Sequence, residues 1–149
     1  MRAVIQRVRQ ARVEVEKQVV GQIEQGLLVY LGVGKEDTEQ DAAFMADKLV
    51  NLRIFADAAG KMNRSVMDIG GGILVISNFT LFGDCRKGRR PGFDAASLPG
   101  PAEALYEKVA ELIARSDVAV AKGAFGAYMQ VSSTNDGPVT FLLDSTRLF

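Results

Sequence analysis

The chain opens on an alternation. Over residues 2–15, Val4, Gln6 and Val8 point one way and Ala3, Ile5 and Arg7 the other. Val13 and Val15 resume the period of two, which predicts a strand, and Glu16-Lys17-Gln18 reads as the turn of a hairpin. After Gly26 the run LLVYLGV is apolar and bounded by glycines, the pattern of a buried strand. The period then lengthens. Asp37 or Thr38 can cap a helix over about 39–52, on which Ala42, Met45, Ala46 and Leu49 form one stripe. Arg53–Phe55 predicts a short strand followed by the turn DAAGK, and Gly70-Gly71-Gly72 breaks the chain before ILVISNFTL, which reads as one continuous strand.

From Phe82 to Pro101 no period persists, and a stretch of that length rich in Gly, Pro and charge is usually functional or mobile. Pro101 suits a first helical turn, and Leu105, Val109, Leu112 and Ile113 predict a second amphipathic helix ending near Ser116. Short strands are predicted around 118–121, 128–133 and 138–143. These elements make one α+β domain over residues 1–149, with a mostly antiparallel, curved or barrel-like sheet and two main helices. Two helices of roughly 30 residues in all can cover one face of such a sheet but hardly both. The second face is then either an interface or the inside of a barrel, and periodicity does not choose between them.

Composition narrows the chemistry. Eighteen Lys+Arg against 18 Asp+Glu give no bulk attraction to polyanions, so nucleic-acid binding requires a local basic patch. The single cysteine, Cys85, forms no internal disulfide. The absence of histidine excludes a His-based triad, a His general base and His-containing zinc sites, and no metal or cofactor is expected. Charge interrupts the N-terminal residues every few positions, and no apolar run approaches the roughly 20 residues of a membrane span, so the expectation is a cytoplasmic protein without membrane contact.

Three segments carry candidate chemistry. In Ser77-Asn78-Phe79-Thr80-Leu81 the alternation sets Ser77 and Phe79 on the face of Val75, with Asn78 and Thr80 on the other. Small polar side chains at the mouth of a buried strand either line a site or bond the neighbouring backbone. Asn135-Asp136-Gly137-Pro138-Val139-Thr140 is by itself a hairpin turn, with Pro138 confined to a strand start or an edge and able to follow a cis bond. Arg86-Lys87-Gly88-Arg89-Arg90 sets four cations in five residues, either a solvated loop or a contact for an RNA backbone.

Taken together, SNFTL, GRRPGF and NDGPVTF, with IQRV, GLLVYLGV, RIFADAAGKMN and AEALYEKV in the same order, resemble the D-aminoacyl-tRNA deacylase family over nearly the whole chain. The resemblance implies a homodimeric hydrolase of the ester in D-aminoacyl-tRNA, and in glycyl-tRNA, that serves chiral proofreading in translation. It implies an active site at the subunit interface, with Ser77, Phe79 and Thr80 as catalytic residues and Asn78, Leu81, Gly137, Pro138, Val139 and Thr140 against the substrate. A cis Gly137-Pro138 pair would exclude L side chains with its carbonyls, Arg7 would orient that pair, and Arg86, Lys87, Arg89 and Arg90 would contact tRNA. Water attack would be aided by backbone N–H groups near Phe79 and Thr80 and by the substrate 2′-hydroxyl, with Thr80 shaping the pocket or orienting water. Two features depart from the family pattern. Asn78 stands where the family usually has Gln, which shortens the amide, and the tail DSTRLF has no assigned role. A catalytically silent nucleic-acid-binding module, or an ester hydrolase of different chirality, are the competing readings.

Overall fold

The protein is described from a computed structural model that covers residues 1–148; Phe149, the last residue of the tail, lies outside the described residues. The long alternating segment becomes β1 (Arg2–Val15), which turns through Glu16 and Lys17, both at positive φ, into β2 (Gln18–Ile23). Two successive left-handed residues are what a two-residue hairpin turn requires to match strand twist. The apolar run forms β3 (Gly26–Gly32), antiparallel to β1 with Arg7 opposite Leu27. Helix α1 (Glu39–Asn51) begins where the sequence expects, with the Thr38 N–H donating to Asp41 Oδ2 at 2.8 Å. A small hairpin of β4 (Phe55–Ala56) and β5 (Met62–Arg64) follows, then β6 (Gly72–Ser77), α2 (Pro99–Ala114), β7 (Ala119–Lys122) and β8 (Gln130–Asp144).

The main sheet is mixed. Strands run in the order β2-β1-β3-β6-β7, with β8 also pairing β1; β3, β6 and β7 are parallel neighbours, and the pairs made by β1 are antiparallel. Helix α2 begins at Pro99, two residues before Pro101, which falls within its first turn.

Both faces of the sheet are apolar, and each finds its own cover. Leu27, Val29, Leu31, Ile73 and Val75 pack under Met45 and Leu49 of α1 and Tyr106, Val109 and Ile113 of α2. On the other face Val8, Ala11, Val13, Leu28, Leu74 and Ile76 close on one another as the sheet curls into a nearly closed barrel. The outer strands meet so closely that a Cβ added at Gly21 of β2 would lie 2.4 Å from the Lys122 carbonyl of β7. Each fully buried Leu or Ile in these layers contributes about 1.5–3 kcal/mol by leaving water. The curled sheet therefore resolves the alternative left open by periodicity, although Phe141, Leu142, Phe79 and Tyr128 remain exposed.

Two elements differ from expectation. Strand β6 stops at Ser77, and Phe79–Phe82 form a single 3-10 turn instead of continuing the strand. The Asn78 side chain accepts the Thr80 N–H at 3.2 Å, a local bond that competes with the sheet ladder, so Asn78 and Thr80 do not share a strand face. The strands expected at 128–133 and 138–143 are one strand, β8, and the intervening NDGPVT is a bulge in it. It is not a hairpin turn, because both halves pair with the same partner: Val8 faces Asn135 and Gln6 faces Thr140.

Candidate active site

The Ser77–Leu81 segment follows the carboxyl end of β6, in the middle of the parallel strands β3, β6 and β7. Ligands in sheets of this kind commonly sit at such ends. The Asn78 N–H continues the ladder to the Leu31 carbonyl at 2.8 Å, after which the chain winds into the turn. Ser77 and Asn78 are half-buried, and Phe79 and Thr80 are exposed. The Phe79 ring meets Phe93 edge-on, 5.0 Å between centroids, which ties the turn to the end of the cationic loop.

Asn78 decides what the turn can donate. Its Oδ1 accepts from the Thr80 N–H and also from the Thr80 hydroxyl. The Thr80 N–H is therefore occupied, contrary to the expectation that it serves an oxyanion, whereas the Phe79 N–H has no such partner among the described residues. An amide oxygen is no base, so the bond that holds the Thr80 hydroxyl does not make it a nucleophile.

The far side of the turn is tied to the chain's first strand. Arg2 donates to the Leu81 carbonyl at 3.1 Å, stacks 4.6 Å over the Phe82 ring, and pairs with Asp144 of β8 at 3.1 Å. Burial alone would raise the Asp144 carboxyl. The hydroxyl and N–H of Thr146, with Arg2, outweigh it and hold the group below the usual carboxylate range.

The NDGPVT bulge sits opposite the middle of β1. One β1 residue, Arg7, lies between Gln6 and Val8, and four β8 residues, Asp136–Val139, span the same interval. Arg7 donates from Nε to the Asp136 carbonyl at 3.1 Å and from Nη1 to the Ile54 carbonyl at 2.6 Å. Its Nε also lies 3.2 Å from the Asp136 carboxylate, which Arg9 contacts at 3.1 Å. The Gly137-Pro138 bond is cis, and both residues are exposed. Gly137 has φ +140°, and a Cβ there would fall 2.7 Å from Val139 Cγ2. Val139 is 8% exposed, part of the main core, so its side chain anchors the bulge and does not line a surface. Thr140 is exposed and accepts from Asn135.

Among the described residues no hydrogen bond joins the two segments. Arg2 holds one and Arg7 the other, and five residues of strand set the backbone positions of these two arginines about 17 Å apart. The cationic segment lies in a loop closed by the Asp84–Gly92 bridge. Arg86 is bound to Asp84, whose carboxyl it holds far below its ordinary value, while Lys87, Arg89 and Arg90 make no ion pair among the described residues. Two contributors were missed in the sequence. The Ile54 carbonyl is a backbone group and leaves no side-chain signal, and Asn135 carried only a turn signal.

A turn bearing two hydroxyls and an amide at the end of a parallel strand, on a barrel-like mixed sheet covered by two helices, places the protein among single-domain α+β proteins of this architecture. The chain belongs to the D-Tyr-tRNA(Tyr) deacylase family, whose profile matches residues 4–144. It is 56% identical over 149 residues to the D-aminoacyl-tRNA deacylase of Thermosipho africanus (strain TCF52B), with 100% of both chains covered. It is 55% identical over 147 residues to that of Thermus aquaticus, covering 99% of this chain and 97% of the relative. Among solved structures, the c-Myc DNA Unwinding Element Binding Protein matches with a TM-score of 0.91 and 40% identity, covering 97% of this chain and 98% of that one. A probable eukaryotic D-amino acid tRNA deacylase matches in fold, with a TM-score of 0.81, 18% identity, and 95% and 97% coverage.

Proposed function

We propose that this protein hydrolyses the ester of D-aminoacyl-tRNA, and of glycyl-tRNA carried on tRNA-Ala, as a homodimer whose site is shared between subunits. The observation that carries the reading is the separation of its two halves: the Ser77–Leu81 turn is held by Arg2 at the start of β1, and the exposed Gly137-Pro138 tip is braced by Arg7 near the middle of that strand. An exposed tip fits a partner's crevice, and a two-fold axis gives each subunit's turn the other's tip. Leu142, 61% exposed on the same sheet face as Val4 and Tyr30, supplies apolar surface for such an interface.

The chemistry asks little of the protein, because an aminoacyl ester is already activated. The Phe79 N–H offers a donor to the developing oxyanion, a contribution of about 3–4 kcal/mol for a well-placed donor. The substrate's own 2′-hydroxyl orients the attacking water, and Thr80, held by Asn78, shapes the pocket. The Gly137 and Pro138 carbonyls exclude an L side chain by backbone contact, which rejects every L residue regardless of its chemistry and leaves D residues and glycine acceptable. Lys87, Arg89 and Arg90, with Arg86, meet the tRNA backbone.

The test is hydrolysis of D-Tyr-tRNA and L-Tyr-tRNA by purified protein, without added metal. Much faster release of D-Tyr is expected. Equal rates, or activity abolished by EDTA and restored by zinc, contradict the reading. Sedimentation at micromolar concentration is expected to give about twice the 16.1 kDa chain mass, whereas a fully active monomer removes the shared site. One observation favours a second reading: the 40% identical neighbour is a DNA-unwinding-element binding protein. Tight binding of such DNA by a protein that turns over no D-aminoacyl-tRNA is the outcome that selects it.

A further inference from the structure

The bulge that carries Gly137 and Pro138 is held from two sides. Arg7 grips its first residue from outside, through the Asp136 carbonyl. From within, the Asn135 side chain closes its neck: Oδ1 accepts the Val139 N–H at 3.0 Å and Nδ2 donates to Thr140 Oγ1 at 3.0 Å. The Gln6 amide donates to the same hydroxyl at 3.4 Å, which carries the clamp across to β1. A four-residue excursion from a ladder forfeits the cross-strand bonds that would fix it, and its exposed tip inherits whatever freedom its neck retains. Here one amide spans that neck, and the buried Val139 side chain supplies the floor.

We propose that Asn135 is a positioning residue for stereochemical selection, setting how far the Gly137 and Pro138 carbonyls project. The proposal rests on the chiral-filter reading of those carbonyls. Neither Asn135 hydrogen bond contacts the Ser77–Leu81 turn, so the residue acts on the ratio of enantiomers and not on the hydrolytic step. The acceptor is the essential half. An aspartate at the same position keeps an oxygen for the Val139 N–H and can still take a hydrogen bond from the Thr140 hydroxyl.

The experiment compares wild type, Asn135→Ala, Asn135→Asp and Arg7→Ala in D- and L-Tyr-tRNA hydrolysis, together with hydrogen exchange at the Val139 amide. Asn135→Ala is expected to lower the D-over-L ratio about tenfold and to speed Val139 exchange by a similar factor, as loss of the part-buried bond to the Val139 N–H permits. Its kcat on D-Tyr-tRNA stays near wild type, and Asn135→Asp restores both readouts. If Asn135→Ala does not fold, Asn135→Ser, too short to reach Val139, supplies the same comparison. An alanine or serine variant that keeps the wild-type ratio while Arg7→Ala loses it overturns the clamp and leaves the filter standing. Wild-type protein that hydrolyses both enantiomers alike overturns the filter, and the clamp with it.

Discussion

Arg2 donates to the Leu81 carbonyl across 3.1 Å, so the first strand holds the turn that follows β6. The same guanidinium is fixed by Asp144, whose side chain is 5% exposed. The strand at the end of the chain thereby braces a loop from its middle.

This brace has a pH dependence with a definite sign. The folded Asp144 carboxyl lies below the ordinary carboxylate value, so its contribution is complete above about pH 4 and is lost as pH falls through the lower folded value. Near neutrality Asp144→Asn is expected to cost about 1.5–3 kcal/mol, the range for a hydrogen bond to a charged group. Urea unfolding of both proteins between pH 7 and pH 2 measures the gap. It should close at the acid end; a gap of constant size contradicts the assignment.

Thr80 separates two mechanisms. Its hydroxyl is held by an amide oxygen and bonds no base among the described residues, so Thr80→Ala is expected to keep substantial activity. A substrate with a 2′-deoxy terminal adenosine, esterified on the 3′ oxygen, should be hydrolysed far more slowly. A dead Thr80→Ala that is matched by a well-hydrolysed deoxy substrate, or an acyl-Thr80 trapped by mass spectrometry, would establish covalent catalysis.

Gly137 and Arg7 address the tip directly. A methyl group at Gly137 meets the Val139 amide nitrogen at 2.9 Å as well as its side chain, so Gly137→Ala must shift backbone at the tip. Arg7→Ala removes the bonds to the Asp136 and Ile54 carbonyls. Both are expected to erode the D-over-L ratio more than the thermal midpoint, as read by paired kinetics and calorimetry. A retained ratio in Arg7→Ala would show that this arginine does not orient the filter.

The cationic loop predicts a salt effect. If Lys87, Arg89 and Arg90 each meet one phosphate, replacing all three with Ala lowers the slope of log binding constant against log salt by about 2, at roughly 0.7 per contact on a single strand. The expected kinetic signature is a raised KM with kcat little changed. An unaltered salt slope assigns these residues to solvent.

Much of the molecule is written locally. The alternation of β1, the apolar run of β3, the stripe Ala42, Met45, Ala46 and Leu49, and the turn at Glu16 and Lys17 depend on near neighbours, and the structure has them where the pattern puts them. The candidate segments were also legible, because SNFTL and NDGPVT are unusual strings. Their shapes were not. Whether NDGPVT turns a hairpin or bulges from one strand depends on β1 lying beside both of its flanks, a contact more than 120 residues distant in sequence. The end of β6 is set by a competition between the sheet ladder and the Asn78 side chain, which alternation cannot weigh. The spacing of the turn and the Gly137-Pro138 tip along β1 belongs to the pairing of distant strands, since hydrophobic patterning chooses the face a residue occupies and only tertiary packing chooses its neighbours.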